Sequence, residues 1–203
     1  AFVPFVVVVL VLLLFVHLWG IRLSIFLLLR SWRKPEDPRY RRMRERGGES
    51  FWWMSLLKIF WFQAFCAWLV SMPIAMSLLG SVPLRLSTID WFACFLVLAG
   101  LVFEAGSDWQ LKRFKDDPLN QHKVCDIGLW RYSRHPNYFG ESLICWGFFV
   151  FSLAAPGNGW TIASPLLMTW LLLRVSGVSM LEAGLINSKA GYPQYVARTN
   201  AFV

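Results

Sequence analysis

Residues able to do chemistry gather in two places along this chain. The segment Gly128-Leu129-Trp130-Arg131-Tyr132-Ser133-Arg134-His135-Pro136-Asn137-Tyr138-Phe139-Gly140-Glu141 packs two Arg, a His, an Asn, two Tyr and a Glu into one turn-rich stretch before an apolar run. Pro136 disfavours helix at His135 and suits the first turn of a following helix. A helix beginning here aims its free N–H groups and positive dipole end at an anion. Arg131 and Arg134 add charge-assisted hydrogen bonds suited to phosphate, and Asn137 and Tyr138 can orient a ring or an amide. A plain connecting loop has no need of so dense a set.

The second place is Glu104 and Asp108, four residues apart and so on one face of a helix. Just after them comes Lys112-Arg113-Phe114-Lys115. Two acids beside cations read equally as a structural ion-pair cluster or as a grip on the ribose hydroxyls or amide of a cofactor whose phosphates meet the cations.

These residues must be positioned by membrane-spanning helices. Of 203 residues, 57% are hydrophobic and only 16% charged, against about 45–50% and about 25% in a soluble domain. The charge is blocked, so the apolar residues fall in long runs. The expected fold is all-α, a polytopic transmembrane helical bundle forming one membrane-embedded domain over 1–203. About five spans are expected: Phe2–Leu29, Ser55–Leu79, Thr88–Asp108, Ser142–Ala155 and Trp160–Val178. Residues 1–108 hold the first three, with a basic segment over 30–49. Residues 109–203 hold the candidate site, a two-span hairpin turning at Pro156-Gly157-Asn158-Gly159, and a tail. The chain opens at Ala1 inside an apolar run that is too long for a secretory leader, and natural sequence is expected upstream.

Cations set the expected orientation. Arg30, Arg33, Lys34, Arg39, Arg41, Arg42, Arg44 and Arg46 lie between the first two spans, and Lys112, Arg113, Lys115, Lys123, Arg131 and Arg134 between the third and fourth. Lys189 and Arg198 follow the fifth. All three groups fall on one side, opposite the single Arg85, and the positive-inside rule makes that side cytoplasmic. A bacterial inner membrane, the endoplasmic reticulum and the mitochondrial inner membrane all fit. The net charge of +8 suits anionic lipid headgroups, and no nucleic-acid partner is expected because no reading module accompanies it. The four cysteines form no CxxC pair or Cys/His cluster, so neither a metal site nor a disulfide framework is expected. Polar residues inside spans are His17, Arg22, Lys58, Gln63, Asp90, Glu104, Asp108, Glu141 and Arg174. Such residues are costly and often functional, although Lys58, Asp90 and Asp108 lie near span ends and can snorkel.

The stretch GLWRYSRHPNYFGE resembles the signature of the steroid 5-alpha-reductase superfamily, most closely its bacterial and organellar branch. Its RHPNY core is also similar to sterol C14-reductases, and a looser RHP occurs in isoprenylcysteine carboxyl methyltransferases. Trp19-Gly20-Ile21-Arg22-Leu23, Glu36-Asp37-Pro38-Arg39-Tyr40, Glu182 and Gly191-Tyr192-Pro193-Gln194-Tyr195 extend the resemblance over nearly the whole chain. It implies NADPH bound at the cytoplasmic side of a helical bundle, and hydride delivery to a carbon–carbon double bond of a lipidic substrate. By the same resemblance Asn137 and Asp108 contact the cofactor, Lys115 stands where an arginine faces it, and His135, Tyr138, Glu141 and Tyr195 complete its surroundings with Lys123, Arg131 and Arg134. Candidate groups for polarising the substrate are Glu104, Tyr138, His17 and Gln63. The chain departs from the steroid enzymes in two ways: Ser176–Glu182 lacks their Arg/His cluster, and Val16-His17-Leu18-Trp19 lacks their tyrosine. Two other functions compete. One is a non-catalytic membrane subunit of a larger complex that keeps the bundle, and the other is a methyltransferase using S-adenosylmethionine.

Overall fold

The computed structural model describes residues 2–32, 35–79, 86–175, 177–189 and 191–202, with the backbone alone at 2–6, 38, 39, 180 and 187. Arg33, Lys34, Arg85 and Ser176, all named above, lie outside the described residues. Within them every regular element is a helix, and the α-helices are α1 (Phe2–Ser31), α2 (Pro38–Gly47), α3 (Phe51–Ser55), α4 (Phe62–Leu79), α5 (Thr88–Asp116), α6 (Pro136–Ser152), α7 (Ala163–Trp170), α8 (Val178–Ser188) and α9 (Tyr192–Arg198). It is an all-α membrane helical bundle.

Among the described residues three helical stretches have the length and apolar composition to cross a bilayer: Val7–Ser31, Tyr40–Leu79 and Thr88–Asp116. The fourth and fifth expected spans are shorter. Helix α6 has 17 residues, about 25 Å at the usual rise, against a hydrocarbon core of about 30 Å. Helix α7 has 8 residues and continues through a π-helical turn, Leu171–Val175. Most of the basic segment after α1 is helical. Arg41 and Glu45 pair one turn apart in α2, and Arg44 pairs with Glu36. From Tyr40 the chain then runs on through α3 and a π-helical turn, Leu56–Trp61, into α4. Trp52, Trp61 and Trp68 stand exposed along that run.

Local chemistry explains where α5 and α6 begin. Ser87 and Asp90 form a capping box at the start of α5: the Ser87 amide and hydroxyl both donate to Asp90 Oδ2 at 2.7 Å. Pro136 occupies the first turn of α6, where its missing N–H costs nothing.

These two helices are the closest pair in the bundle. A Cβ on Gly100 would sit 2.6 Å from the Gly140 carbonyl oxygen, and one on Gly140 would sit 2.6 Å from the Gly100 carbonyl and 2.7 Å from the Glu104 nitrogen. Without side chains at these positions the two backbones touch, which is how helices gain contact inside lipid, where apolar surface alone gives little advantage. Around this seam Leu12 and Phe15 of α1 pack with Ala93, Cys94 and Val97 of α5 and Ile144, Phe148 and Phe151 of α6. Hydroxyls tie in α7 and α4. Ser142 bonds Thr169 at 2.8 Å, Ser152 bonds Thr161 at 2.8 Å, and Ser164 donates to the Val70 carbonyl at 2.8 Å.

A Gly140→Ala substitution is expected to destabilise the bundle by about 1–3 kcal/mol, because the atoms it meets are backbone. Gly20→Ala, with no atom within 4 Å, should be neutral or stabilising by up to about 1 kcal/mol. Thermal unfolding of the two variants in the same detergent checks the contrast.

Candidate cofactor site where α1, α5 and α6 meet

The 3.6-residue period of α5 turns Glu104 and Asp108 onto one face, towards α1. There Arg22 reaches both, its Nη1 donating to Glu104 Oε1 and its Nη2 to Asp108 Oδ2. The three side chains are 20%, 4% and 7% exposed, so the cluster is largely desolvated. The Arg22 guanidinium also lies over the Phe26 ring, 5.3 Å from its centroid. From α6, Asn137 Nδ2 donates to Asp108 Oδ1 at 3.2 Å. Glu141, one turn further on, is close enough to Arg22 and Asp108 to feel their charges.

Two acceptors in this cluster are left over. Glu104 Oε2 and Asn137 Oδ1 are buried and have no hydrogen-bond partner among the described residues. Buried polar atoms are normally satisfied, so a pair of open acceptors beside an ion cluster suits a ligand that brings hydrogen-bond donors. Ribose hydroxyls and a carboxamide N–H are such donors, and the residues present therefore fit the dinucleotide expected from the sequence.

The approach to α6 is built onto α5. Trp130 Nε1 donates to the Ser107 carbonyl at 3.0 Å, and the Leu129 amide donates to Gln110 Oε1 at 3.0 Å. Gly128 has φ of 57°, and a Cβ there would lie 2.6 Å from Gln110 Oε1, so the turn needs glycine. Beyond it, Arg134 and His135 turn away from Asp108 towards the tail. Arg134 Nε donates to Glu182 Oε1 at 2.7 Å, and His135 Nε2 lies 3.0 Å from the same oxygen. Tyr195 donates its buried hydroxyl to the Trp130 carbonyl and, at 3.2 Å, to that of Ser133. Burial pushes the Tyr195 and Tyr192 hydroxyls up, the latter to about 12, so both stay protonated donors.

Of the residues expected from the sequence, Glu104, Asp108 and Asn137 come together, with Glu141 beside them. Arg134, His135 and Tyr195 form a separate clamp with the tail, and Tyr138 stacks on His135, centroids 5.5 Å apart. Lys115 is exposed in the last turn of α5, and Lys123 and Arg131 are exposed on the connection that follows it. His17 is not brought to the cluster: it is exposed, bonded to the Leu13 carbonyl at 2.7 Å, and roughly 140° around α1 from Arg22. Two partners escaped the sequence reading, Arg22 for the acid pair and Glu182 for the Arg-His pair. A lone Arg in an apolar run is itself the signal that a buried carboxylate must lie opposite.

The family model described as a protein of unknown function (DUF1295) matches residues 6–199. No curated protein and no solved structure matches the chain.

Replacing Arg22 by Met leaves two buried carboxylates without their cation and should cost about 3 kcal/mol of stability. Arg41→Gln, at an exposed pair, should change little. A denaturant titration of both variants tests this. Burial also lowers the His135 pKa below 6.5, with Glu182 opposing the shift. Folding therefore favours the neutral ring, and its contribution to stability is present above 6.5 and lost as pH falls. A His135→Asn variant should lose the part of the acid sensitivity that begins there, measured by unfolding temperature between about pH 8 and about pH 5.

Proposed function

The chain is a member of this DUF1295 family, one of steroid 5-alpha-reductase-like proteins, and we propose that it is a multi-pass membrane enzyme that uses NADPH to reduce a carbon–carbon double bond of a lipidic substrate. The observation that carries the reading is the Arg22–Glu104–Asp108–Asn137 cluster, with its two open buried acceptors, at the foot of a strongly basic connection. Resemblance of the RHPNY segment to reductases of this superfamily supplies the class of reaction.

NADPH, when bound, supplies the hydride; the protein's residues bind, orient and exclude water. Asp108 and Asn137 hold each other by a hydrogen bond, so the amide is oriented before any ligand arrives. Glu104 keeps one oxygen bound to Arg22 and offers the other. Arg22 holds both acids in place and offsets their charge. Lys115, Lys123 and Arg131 supply cations for the phosphates on the exposed side. In this reading Tyr138, through its hydroxyl, or Glu104, carrying a proton on its open oxygen, polarises a substrate carbonyl. The substrate enters from the bilayer between α1 and α4, and the apolar core of α1, α5 and α6 keeps water from the reacting end. The basic segments face the cytoplasm or its organellar equivalent, in contact with anionic lipid headgroups.

One observation favours a second reading, a non-catalytic subunit of a membrane complex. Trp52, Trp53, Trp61 and Trp68 are all exposed along the α3–α4 run, and Trp52 is 75% exposed. Partner membrane-protein chains or lipid acyl chains would cover them.

Calorimetry on the detergent-purified protein with NADPH, NADH and S-adenosylmethionine separates the readings. NADPH should bind, and Asp108→Ala and Asn137→Ala should each weaken it about tenfold or more, the usual effect of losing a charge-assisted hydrogen bond. Binding of S-adenosylmethionine alone would move the assignment to methyl transfer. Folded protein that binds none of the three would leave the subunit reading.

A further inference from the structure

Four of the five N–H donors of the Arg134 guanidinium are engaged within the protein. Its Nε and Nη2 grip the two oxygens of Glu182 at 2.7 and 3.4 Å, and its Nη1 donates to the carbonyls of Val196, at 3.2 Å, and Thr199. His135 adds a third bond to Glu182, at 3.0 Å. The backbone follows the same path. The Arg134 amide donates to the Asn200 carbonyl at 2.9 Å, and the His135 amide to that of Ala201 at 3.2 Å. The Ser133 hydroxyl also donates to Ala201, at 3.1 Å. Beyond this pairing, Phe202 packs edge-on against Phe139, and Phe139 packs edge-on against Phe103 of α5.

One residue, Pro136, separates His135 from Asn137, and its ring restricts the backbone between them. Whatever holds Arg134 and His135 therefore sets where Asn137 stands relative to Asp108. We infer that Glu182 is a positioning residue for the Asp108–Asn137 site, acting through Arg134 and His135, and that Thr199–Phe202 is the strap that fastens the amino end of α6. Glu182 touches neither Asp108 nor Asn137. Its carboxylate makes charge-assisted bonds to two consecutive residues at once, a geometry that fixes both position and rotation of the segment. The strap satisfies amides that a helix beginning at Pro136 would otherwise leave open. This role assigns Arg134 and His135 to holding the site rather than touching the ligand.

The ligand half of the test rests on the NADPH reading, and the dynamic half does not. Full-length protein in detergent is prepared as wild type, Glu182→Gln, Glu182→Asp, Phe202→Ala and Arg198→Gln. The last breaks the exposed Arg198–Asp126 pair on the same tail helix without touching the strap. Hydrogen exchange of the 133–139 amides is measured without ligand, and NADPH affinity by calorimetry. Glu182→Gln should raise exchange across 133–139 and weaken NADPH about tenfold, with part of both effects restored in Glu182→Asp. Arg198→Gln should change neither. Unchanged exchange in Glu182→Gln overturns the proposal. So does raised exchange with unchanged NADPH affinity, since that marks a merely structural clamp, and so does tighter binding, since that marks Arg134 as a phosphate ligand released from Glu182. Phe202→Ala, which removes no charge, carries the same comparison if Glu182→Gln does not fold. Wild type that binds no NADPH sinks the reductase reading, and the exchange result then decides alone whether Glu182 holds this segment.

Discussion

Helices α5 and α6 touch backbone to backbone at Gly100 and Gly140, and most of what is distinctive in this protein follows from that contact. Because no side chain separates the helices there, Glu104 lies directly against α6, and Asn137, one turn before Gly140, reaches Asp108. A bulkier seam would push the helices apart and open a gap between the acid pair and the amide. The same closeness lets Ala93, Val97 and Ile144 become fully buried, which gives the polar cluster a rigid apolar floor.

Two carboxylates held in that position bring a second constraint. Charges taken out of water need partners, and α1 provides one in Arg22. The ion cluster thus decides how α1 docks, in rotation and in depth, more narrowly than its leucines and valines can. Those apolar residues face lipid and core alike. Phe15 against Phe151 and Trp19 against Phe148 then continue the α1 contact away from the cluster. The site and the fold are consequently not separable here, since the residues that would meet a ligand also hold three helices together.

The turn-rich segment ahead of α6 divides its labour. Its outward cations, Arg131 and those of the preceding connection, remain at the surface. Its inward pair, Arg134 and His135, is bound by α8 and the chain end. Residues close in sequence thus serve different purposes, one set facing solvent and the other joining the start of α6 to α8 and the tail.

From the sequence alone the helical membrane class, the helix start at Pro136 and the placing of Glu104 and Asp108 on one helix face were legible. Long apolar runs, a proline's missing N–H and acids four residues apart are local signals, carried by neighbouring residues. The shortness of the fourth span was legible from the turn at Pro156-Gly157-Asn158-Gly159, whereas the break of the fifth into α7 and a π-helical turn was not, because hydropathy does not mark where a helix changes its winding within an apolar run. Arg22 and Glu182 were visible as charged residues but not as partners. Each acts on groups far away in the chain, Arg22 on Glu104 and Asp108, and Glu182 on Arg134 and His135. Which distant charges meet is decided by how the helices dock and rotate, and that is set by the glycine seam and the packing around it. The sequence by itself determined which residues are costly to bury; only the tertiary structure decided which of them neutralise one another and which are left open to a ligand.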